Sequence, residues 1–349
     1  MNQKHNYPLL INKHIPENFQ DFNANTHMVR LLSTQISLNK IQTLIVGEEC
    51  VGKTTLINVI IKEYYGPSVN KAEYKSNVLY IHYLKEQGIS YYKNEVKYFC
   101  QTYCGITGKK KIIVLDDLDM LSETNQTIFI NIIDKYSEQV HFIASCKSLQ
   151  KVLYGIQSRL MILLLHSHTP EHLMDTANKI IQEEEMVIDD DALPLLISVS
   201  KNKMNRLINY IDKIKLIRPP LITREIVLQL CTNIQYDLYK NYFERAIEGN
   251  YTEAIDILYG LYDSGFSVID ILENMFEYVK LFKLDGMTSM DTFVVNINET
   301  QLYEITQIIC KYITYFYNIH EDEIELAIMT KDIILLLYIP ITSNENKLL

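Results

Sequence analysis

Residues 43–56 read TLIVGEECVGKTTL: an apolar run, a loop, and the opening of the helix-like segment LINVIIKEYY. Gly47, Gly52, Lys53 and Thr54 fall on the pattern G-x-x-x-x-G-K-[ST], in the strand–loop–helix context that gives this Walker A pattern physical meaning. Glycines let backbone N–H groups close around a polyphosphate at a helix N-terminus, where the dipole favours anions. The Lys53 ammonium would reach the outer phosphates, and Thr54 would ligate magnesium. Gly47, Glu48, Glu49, Cys50, Val51, Gly52, Lys53, Thr54 and Thr55 are therefore the candidate nucleotide-binding set.

The second landmark is IIVLDDLD at residues 112–119. Four apolar residues make a buried parallel strand, and acidic residues appear at its C-terminal edge, where open α/β sheets bind ligands. Asp116 is expected beside the Walker loop in the magnesium shell, and Asp117 as the base that orients an attacking water. Strands are expected also at 77–82, 141–145 and 161–166, with helices between them, so the first part of the chain reads as a doubly covered parallel sheet.

Bulk properties set limits around this core. A chain of 349 residues exceeds the usual single domain, so two or three are expected. With 48% hydrophobic and 22% charged residues it belongs among globular proteins rather than disordered ones. No apolar run suffices for a membrane span and the start lacks a signal-peptide pattern, which predicts an intracellular protein. The six cysteines show no paired framework and suit a reducing compartment as free thiols, with Cys100 and Cys104 buried rather than zinc-bound. A net charge of −10 excludes coating of nucleic acid by overall positive field and confines any contact to a local lysine patch. The lysines of GITGKKK (105–111) are expected to be solvated on a mobile surface loop.

From Thr169 the periodicity is helical throughout. Residues 169–218 read as a helical lid; IRPPLITR (217–224), with adjacent prolines, reads as a linker, followed by about five amphipathic helices. The expected domains are an α/β nucleotide-binding core (1–168), the helical lid (169–218) and an α-helical C-terminal domain (219–349). His166, His168 and His172 mark the turn between core and lid.

The order of Walker A, Walker B and the Ser-Arg of IQSR (156–159) resembles the AAA+ ATPases, and specifically the replication factor C small subunits of clamp loaders. The resemblance covers nearly the whole chain. Lys13 and Pro16 match a lysine-tyrosine-arginine-proline lead-in, with His14 and Ile15 replacing its aromatic and arginine. In residues 78–99, Glu86, Gly88, Ile89, Ser90, Val96, Lys97 and Phe99 match the segment leading into the clamp- and DNA-facing helix. Ile156, Gln157, Ser158 and Arg159 look like the serine-arginine-cysteine motif, with Leu160 in the cysteine's place, and FSVIDIL (266–272) is similar to a collar segment.

The resemblance implies a collar that seals a ring of five subunits, ATP and Mg2+ as cofactors, and other clamp-loader subunits, a sliding clamp and primer–template DNA as partners. It implies that Arg159 acts in trans on a neighbour's γ-phosphate, that Lys93 and Lys97 track the template backbone, and that Tyr91 and Tyr92 touch the clamp. Departures cluster around the γ-phosphate. Asp117 stands where hydrolysing members carry glutamate, Lys147 where sensor 1 is asparagine, and Asn205 where sensor 2 is arginine, with Arg206 one residue out of place. The site is thus expected to bind nucleotide and hydrolyse it slowly. Cys50 within the loop is expected to make binding sensitive to alkylation. The alternative is a free-standing AAA+ ATPase acting on DNA structures or proteins. Nuclear localisation is expected, or a cytoplasmic replication site for a viral source.

Overall fold

The computed structural model describes residues 9–19, 22, 26–66, 69, 71–82, 89–231, 234, 236–284, 297–318 and 322–337. Glu86 and Gly88 lie outside these residues, as do the side chains of Tyr91, Tyr92 and Lys93. Two compact units are formed, Met1–Ile188 with Ser200–Leu221, and Asp189–Val199 with Ile222–Leu349.

The first unit is built on five parallel strands, β1 (Gln42–Val46), β2 (Val78–His82), β3 (Lys111–Asp116), β4 (Val140–Cys146) and β5 (Met161–Leu164), in the order β2-β3-β4-β1-β5. Every residue of β1, β3 and β4 is buried, the signature of central strands covered on both faces. Because successive side chains alternate between faces, each central strand feeds two cores. Leu44, Ile113, Leu115, Phe142 and Ala144 pack with Val96 of α5 (Ile89–Gln101) and Phe129 and Ile133 of α6 (Glu123–Tyr136). Ile45, Ile112, Val114 and Ile143 pack instead with Leu32 of α2 (Thr26–Ser37) and with Leu56, Ile57, Ile60 and Tyr64 of α3 (Lys53–Tyr65). Pairing of Val46 with Cys146 and of Leu115 with Ala144 brings the C-terminal ends of β1, β3 and β4 to one edge, where the site forms.

The helix expected between the strands at 77–82 and 112–115 is α5. Two short helices escape the sequence pattern, α1 (Leu10–Lys13) in the lead-in and α4 (Lys71–Lys75), each too brief to show a period. A four-residue helix, α7 (Tyr154–Gln157), precedes Arg159. Within residues 169–218, α8 (Pro170–Glu183) and α10 (Met204–Ile217) lie in the first unit, whereas α9 (Ala192–Val199) lies in the second. Thr169 caps α8 by accepting the His172 N–H, with Pro170 at the first helical position where its missing donor costs nothing.

Glu184, just after α8, ties three segments of the first unit together. Its carboxylate accepts from Lys13 at the end of α1 and from Lys215 of α10, both at 2.6 Å, and its side chain is 8% exposed. The bond from Lys13 and then that from Lys215 hold its pKa down at about 2, against an ordinary 4.5. A folded value below the unfolded one means that the stabilisation is complete above about pH 4.5 and is lost as pH falls towards 2. Glu184→Gln is expected to lower the melting temperature by about 2–8 °C near neutral pH. The melting temperatures of the two proteins should approach one another as pH falls from about 4.5 towards 2, and a constant gap would contradict this role.

In the second unit, α9 packs with α11 (Arg224–Cys231), and Asp189 donates its N–H to the Ile222 carbonyl. Five further helices follow, α12 (Tyr236–Ile247), α13 (Tyr251–Asp263), α14 (Val268–Leu284), α15 (Glu299–Asn318) and α16 (Ile324–Leu337). With α11 that is six after the proline linker among the described residues, one more than the sequence pattern indicates. Their apolar faces converge on Tyr239, Tyr242, Phe243, Leu258, Ile271, Met275, Ile309 and Met329. Val268, Ile271 and Leu272, from the collar-like segment, lie in this core. No helix among the described residues is long and apolar enough to cross a membrane.

Candidate nucleotide-binding site

The loop between β1 and α3 has the backbone its sequence requires. Gly52 has φ +97°, in the left-handed region that glycine enters without steric cost. A Cβ on Gly47 would lie 2.8 Å from the Leu165 carbonyl oxygen, so only glycine lets the chain after β5 pass this closely. Cys50 also takes a positive φ, +62°, and its side chain is exposed on the loop.

Lys53 is 9% exposed and donates to the carbonyls of Gly47 and Glu48, both at 2.8 Å. Its ammonium is thus folded back over the concavity that a polyphosphate would fill. The Thr54 hydroxyl donates to Asp116 Oδ2 at 3.3 Å, which places the two predicted magnesium ligands side by side. Asp117 follows with φ +53°, ψ +52° and a partly buried side chain. The cradle at Gly47, the lysine and the Thr54–Asp116 pair together fit a nucleotide with its divalent cation.

Three further polar residues, which sequence reasoning missed, position these groups. Ser145, fully buried in β4, donates to Asp116 Oδ1 at 2.5 Å and accepts the Asp117 N–H at 3.0 Å. Its only signal in the sequence is a hydroxyl near the end of an apolar strand. Asp119 accepts the N–H groups of Lys147 and Ser148 at 3.2 and 3.0 Å, joining the turns after β3 and β4. Gln126 of α6 is 1% exposed; its amide donates to the carbonyls of Leu121 and Lys151 at 3.0 Å and accepts the Leu153 N–H at 2.9 Å. It thereby links the turn after Asp117 to the segment that leads to Arg159.

Lys147, where the resemblance implies a sensor-1 asparagine, reaches across to Glu49 of the loop at 2.7 Å. That hydrogen bond lowers the Glu49 pKa and raises that of Lys147. An asparagine there would present a neutral amide; this chain presents a cation engaged by its own loop. Asn205 lines the cavity beside the Walker loop, and Arg206, one residue on, is exposed and does not line it.

That cavity, about 380 Å³, is bounded by Cys50, Val51 and Gly52 on one side and by Ile15, His168, His172 and Ile208 on others. His168 and His172 stack with ring centroids 5.1 Å apart. Burial lowers both pKa values, and in His168 the His172 neighbour adds to this. His168 and His172 thus line the cavity, a role invisible in local sequence, whereas His166 of the same turn does not border it.

Arg159 stands apart from this chain's own Walker loop. Its Nε and Nη2 donate to the two carboxylate oxygens of Asp134 on α6 at 2.5 and 2.8 Å, and Nη1 donates to the Gly155 carbonyl at 2.7 Å. The guanidinium is exposed. Lys97 is exposed on α5, the helix that also carries Lys93.

Residues 43–166 match the ATPase family associated with various cellular activities (AAA). The chain is 28% identical over 271 residues to a replication factor C small subunit of Methanococcus maripaludis, covering 77% of this chain and 84% of the relative. It is 29% identical over 238 residues to replication factor C subunit 4 of Schizosaccharomyces pombe, 68% of each. Among solved structures, a mutant form of Thermotoga maritima RuvB shares the fold with a TM-score of 0.50 at 15% identity, over 68% of this chain and 80% of that one.

Proposed function

We infer that this chain, an AAA ATPase similar to replication factor C small subunits over 77% of its length, is a clamp-loader subunit in DNA replication. It binds ATP with Mg2+ and, in a ring of five related subunits, helps place a sliding clamp on primer–template DNA. The observation that carries this reading is the division of labour between two places on one body. Lys53, Thr54 and Asp116 converge on the loop, while Arg159 is exposed and paired away from it. A guanidinium in that position serves a neighbouring subunit's nucleotide.

Within the chain's own site, backbone N–H groups of the loop and Lys53 bind the phosphates, and Thr54 with Asp116 would hold the magnesium ion that neutralises their charge. Ser145 keeps Asp116 aimed, its short hydrogen bond occupying the second carboxylate oxygen. Asp117 is one methylene shorter than the glutamate of hydrolysing relatives, and a general base acts only within hydrogen-bond reach of the water it orients. Lys147 is committed to Glu49 and Asn205 carries no charge towards the γ-phosphate. Binding is thereby retained while hydrolysis at this site is weakened. Lys93 and Lys97 on α5 follow the template backbone.

Two measurements test the reading. Affinity purification of the tagged chain is expected to recover about four related AAA ATPases, and a ring-shaped clamp when ATP is present; a monomer, or a ring of identical copies without a clamp, would refute it. In the assembled complex, the turnover removed by Lys53→Ala measures this site's share. Asp117→Glu is expected to raise that share about tenfold or more. A wild-type share already equal to that of its neighbours would show that the site is not weakened.

A further inference from the structure

At the edge of the sheet opposite Asp116, the start of β3 lies beside the C-terminal ends of α5 and α6, and a cavity of about 470 Å³ opens there. The six residues of β3 separate it from the nucleotide loop by about 17 Å of strand. Lys109, Lys110 and Lys135 line it together with Gln101 and Tyr103, and no carboxylate does so among the described residues. In a chain of net charge −10, this is a local reversal of sign.

The backbone of the loop is held in place, contrary to the mobile segment expected from GITGKKK. Lys110 donates its N–H to the Tyr64 hydroxyl at 2.7 Å, and its carbonyl accepts from the Tyr65 hydroxyl at 3.0 Å. Gly105 donates to Asn77 Oδ1 at 3.0 Å. Two of the ammonium groups serve helix ends, as cations near C-termini do. Lys109 donates to the Tyr64 carbonyl of α3, and Lys111 to Thr102 Oγ1 and the Phe99 carbonyl at the end of α5. The other two, Lys110 and Lys135, have no ion pair with a carboxylate among the described residues. Tyr103, on the same wall, is 98% exposed, an aromatic ring held almost wholly in solvent.

We propose that this cavity binds the phosphate backbone of a single-stranded nucleic acid, with Lys110 and Lys135 contacting phosphates and Tyr103 stacking on a base. The partial negative charge of two helix C-termini disfavours a small free anion in the cavity. A strand avoids that cost by spanning its rim, and it can continue along α5, where Lys97 lies one turn before Gln101 and so on the same face. Lysines beside an exposed ring are the combination that holds single strands without reading their sequence. The site goes beyond the clamp-loader reading, because Lys110, Lys135 and Tyr103 have no part in it and lie at the other edge of the sheet from the nucleotide; only the continuation onto Lys97 is shared with the template path proposed above.

The test is binding of a fluorescent oligo-dT to the full chain across a salt series. Lys110→Glu with Lys135→Glu is expected to weaken binding at least tenfold and to flatten the log–log salt slope by about 1.4, since each phosphate contact on a single strand contributes about 0.7. Tyr103→Ala is expected to weaken binding roughly 5- to 100-fold with the slope unchanged. Nucleotide binding should survive in all variants, which separates a lost site from a lost fold; Lys135→Glu alone, an exposed change, provides a milder version. Unaltered affinity and slope in the double variant would overturn the proposal, as would absence of oligo-dT binding by the wild-type chain at low salt. Loss of binding to a polyglutamate peptide instead would assign the cavity to an acidic protein segment and equally overturn it. None of these failures touches the clamp-loader assignment, which is tested by the partners that purify with the chain.

Discussion

Arg159→Ala is expected to lower ATP turnover at the neighbouring subunit's site by 10³ to 10⁵, the usual worth of a guanidinium that stabilises charge on a transferring phosphoryl group. Binding of nucleotide by this chain's own loop should not change, because Arg159 touches Asp134 and Gly155 and no Walker-loop residue. The pair with Asp134 explains how the side chain is kept ready. A bidentate fork with a carboxylate fixes the guanidinium plane, and the Gly155 carbonyl fixes a third N–H, yet the whole arrangement is exposed and an exposed ion pair gives way readily to a stronger anion. Arg159→Lys should restore little, since an ammonium cannot reproduce the planar fork. The assay needs an assembled complex in which the neighbour supplies the only hydrolysing site, so that other sites do not mask the loss. Unchanged turnover there, or loss of nucleotide from this chain's own loop, would place Arg159 outside the chemistry.

What could be read beforehand divides along a physical line. The Walker loop, Asp116 and the strands around them are legible because local chemistry dictates them: glycine where φ is positive at Gly52, a long cation after it, and continuous apolar runs where both faces of a strand are covered. Ser145, Asp119 and Gln126 are not legible, because each acts through partners that become neighbours only once the sheet has formed. Ser145 lies 29 residues from Asp116, and Gln126 lies 25 and 27 residues from its partners Lys151 and Leu153. The lysine loop illustrates the same limit from the other side. GITGKKK carries every local mark of a mobile segment, and the hydroxyls of Tyr64 and Tyr65, some 45 residues upstream, fix it. Residues 169–218 read as one run of helices, yet α9 buries its apolar residues in the second unit, since helical periodicity says which face is buried and not against what.

Lys53→Ala is expected to reduce nucleotide affinity by about a hundredfold or more, as follows from losing two charge-assisted hydrogen bonds each worth about a factor of ten. The side chain is nearly buried and its ammonium rests on the Gly47 and Glu48 carbonyls, so it is positioned before any phosphate arrives and little ordering is needed on binding. Thermal melting with and without ATP provides the measurement. At a free concentration a hundred times the wild-type dissociation constant, the wild-type chain should gain about 2.7 kcal/mol of stability, and a variant weakened a hundredfold only about 0.4 kcal/mol. The nucleotide-free melting temperatures of the two proteins show whether the substitution has disturbed the loop itself, so a missing shift can be assigned to lost phosphate contact. Asp117→Asn, by contrast, should leave the shift intact, because that side chain is assigned to water and not to phosphate. A full ATP-induced shift in Lys53→Ala would mean that nucleotide is held somewhere other than the loop between β1 and α3. The proposed division of labour between this loop and Arg159 would then have to be abandoned.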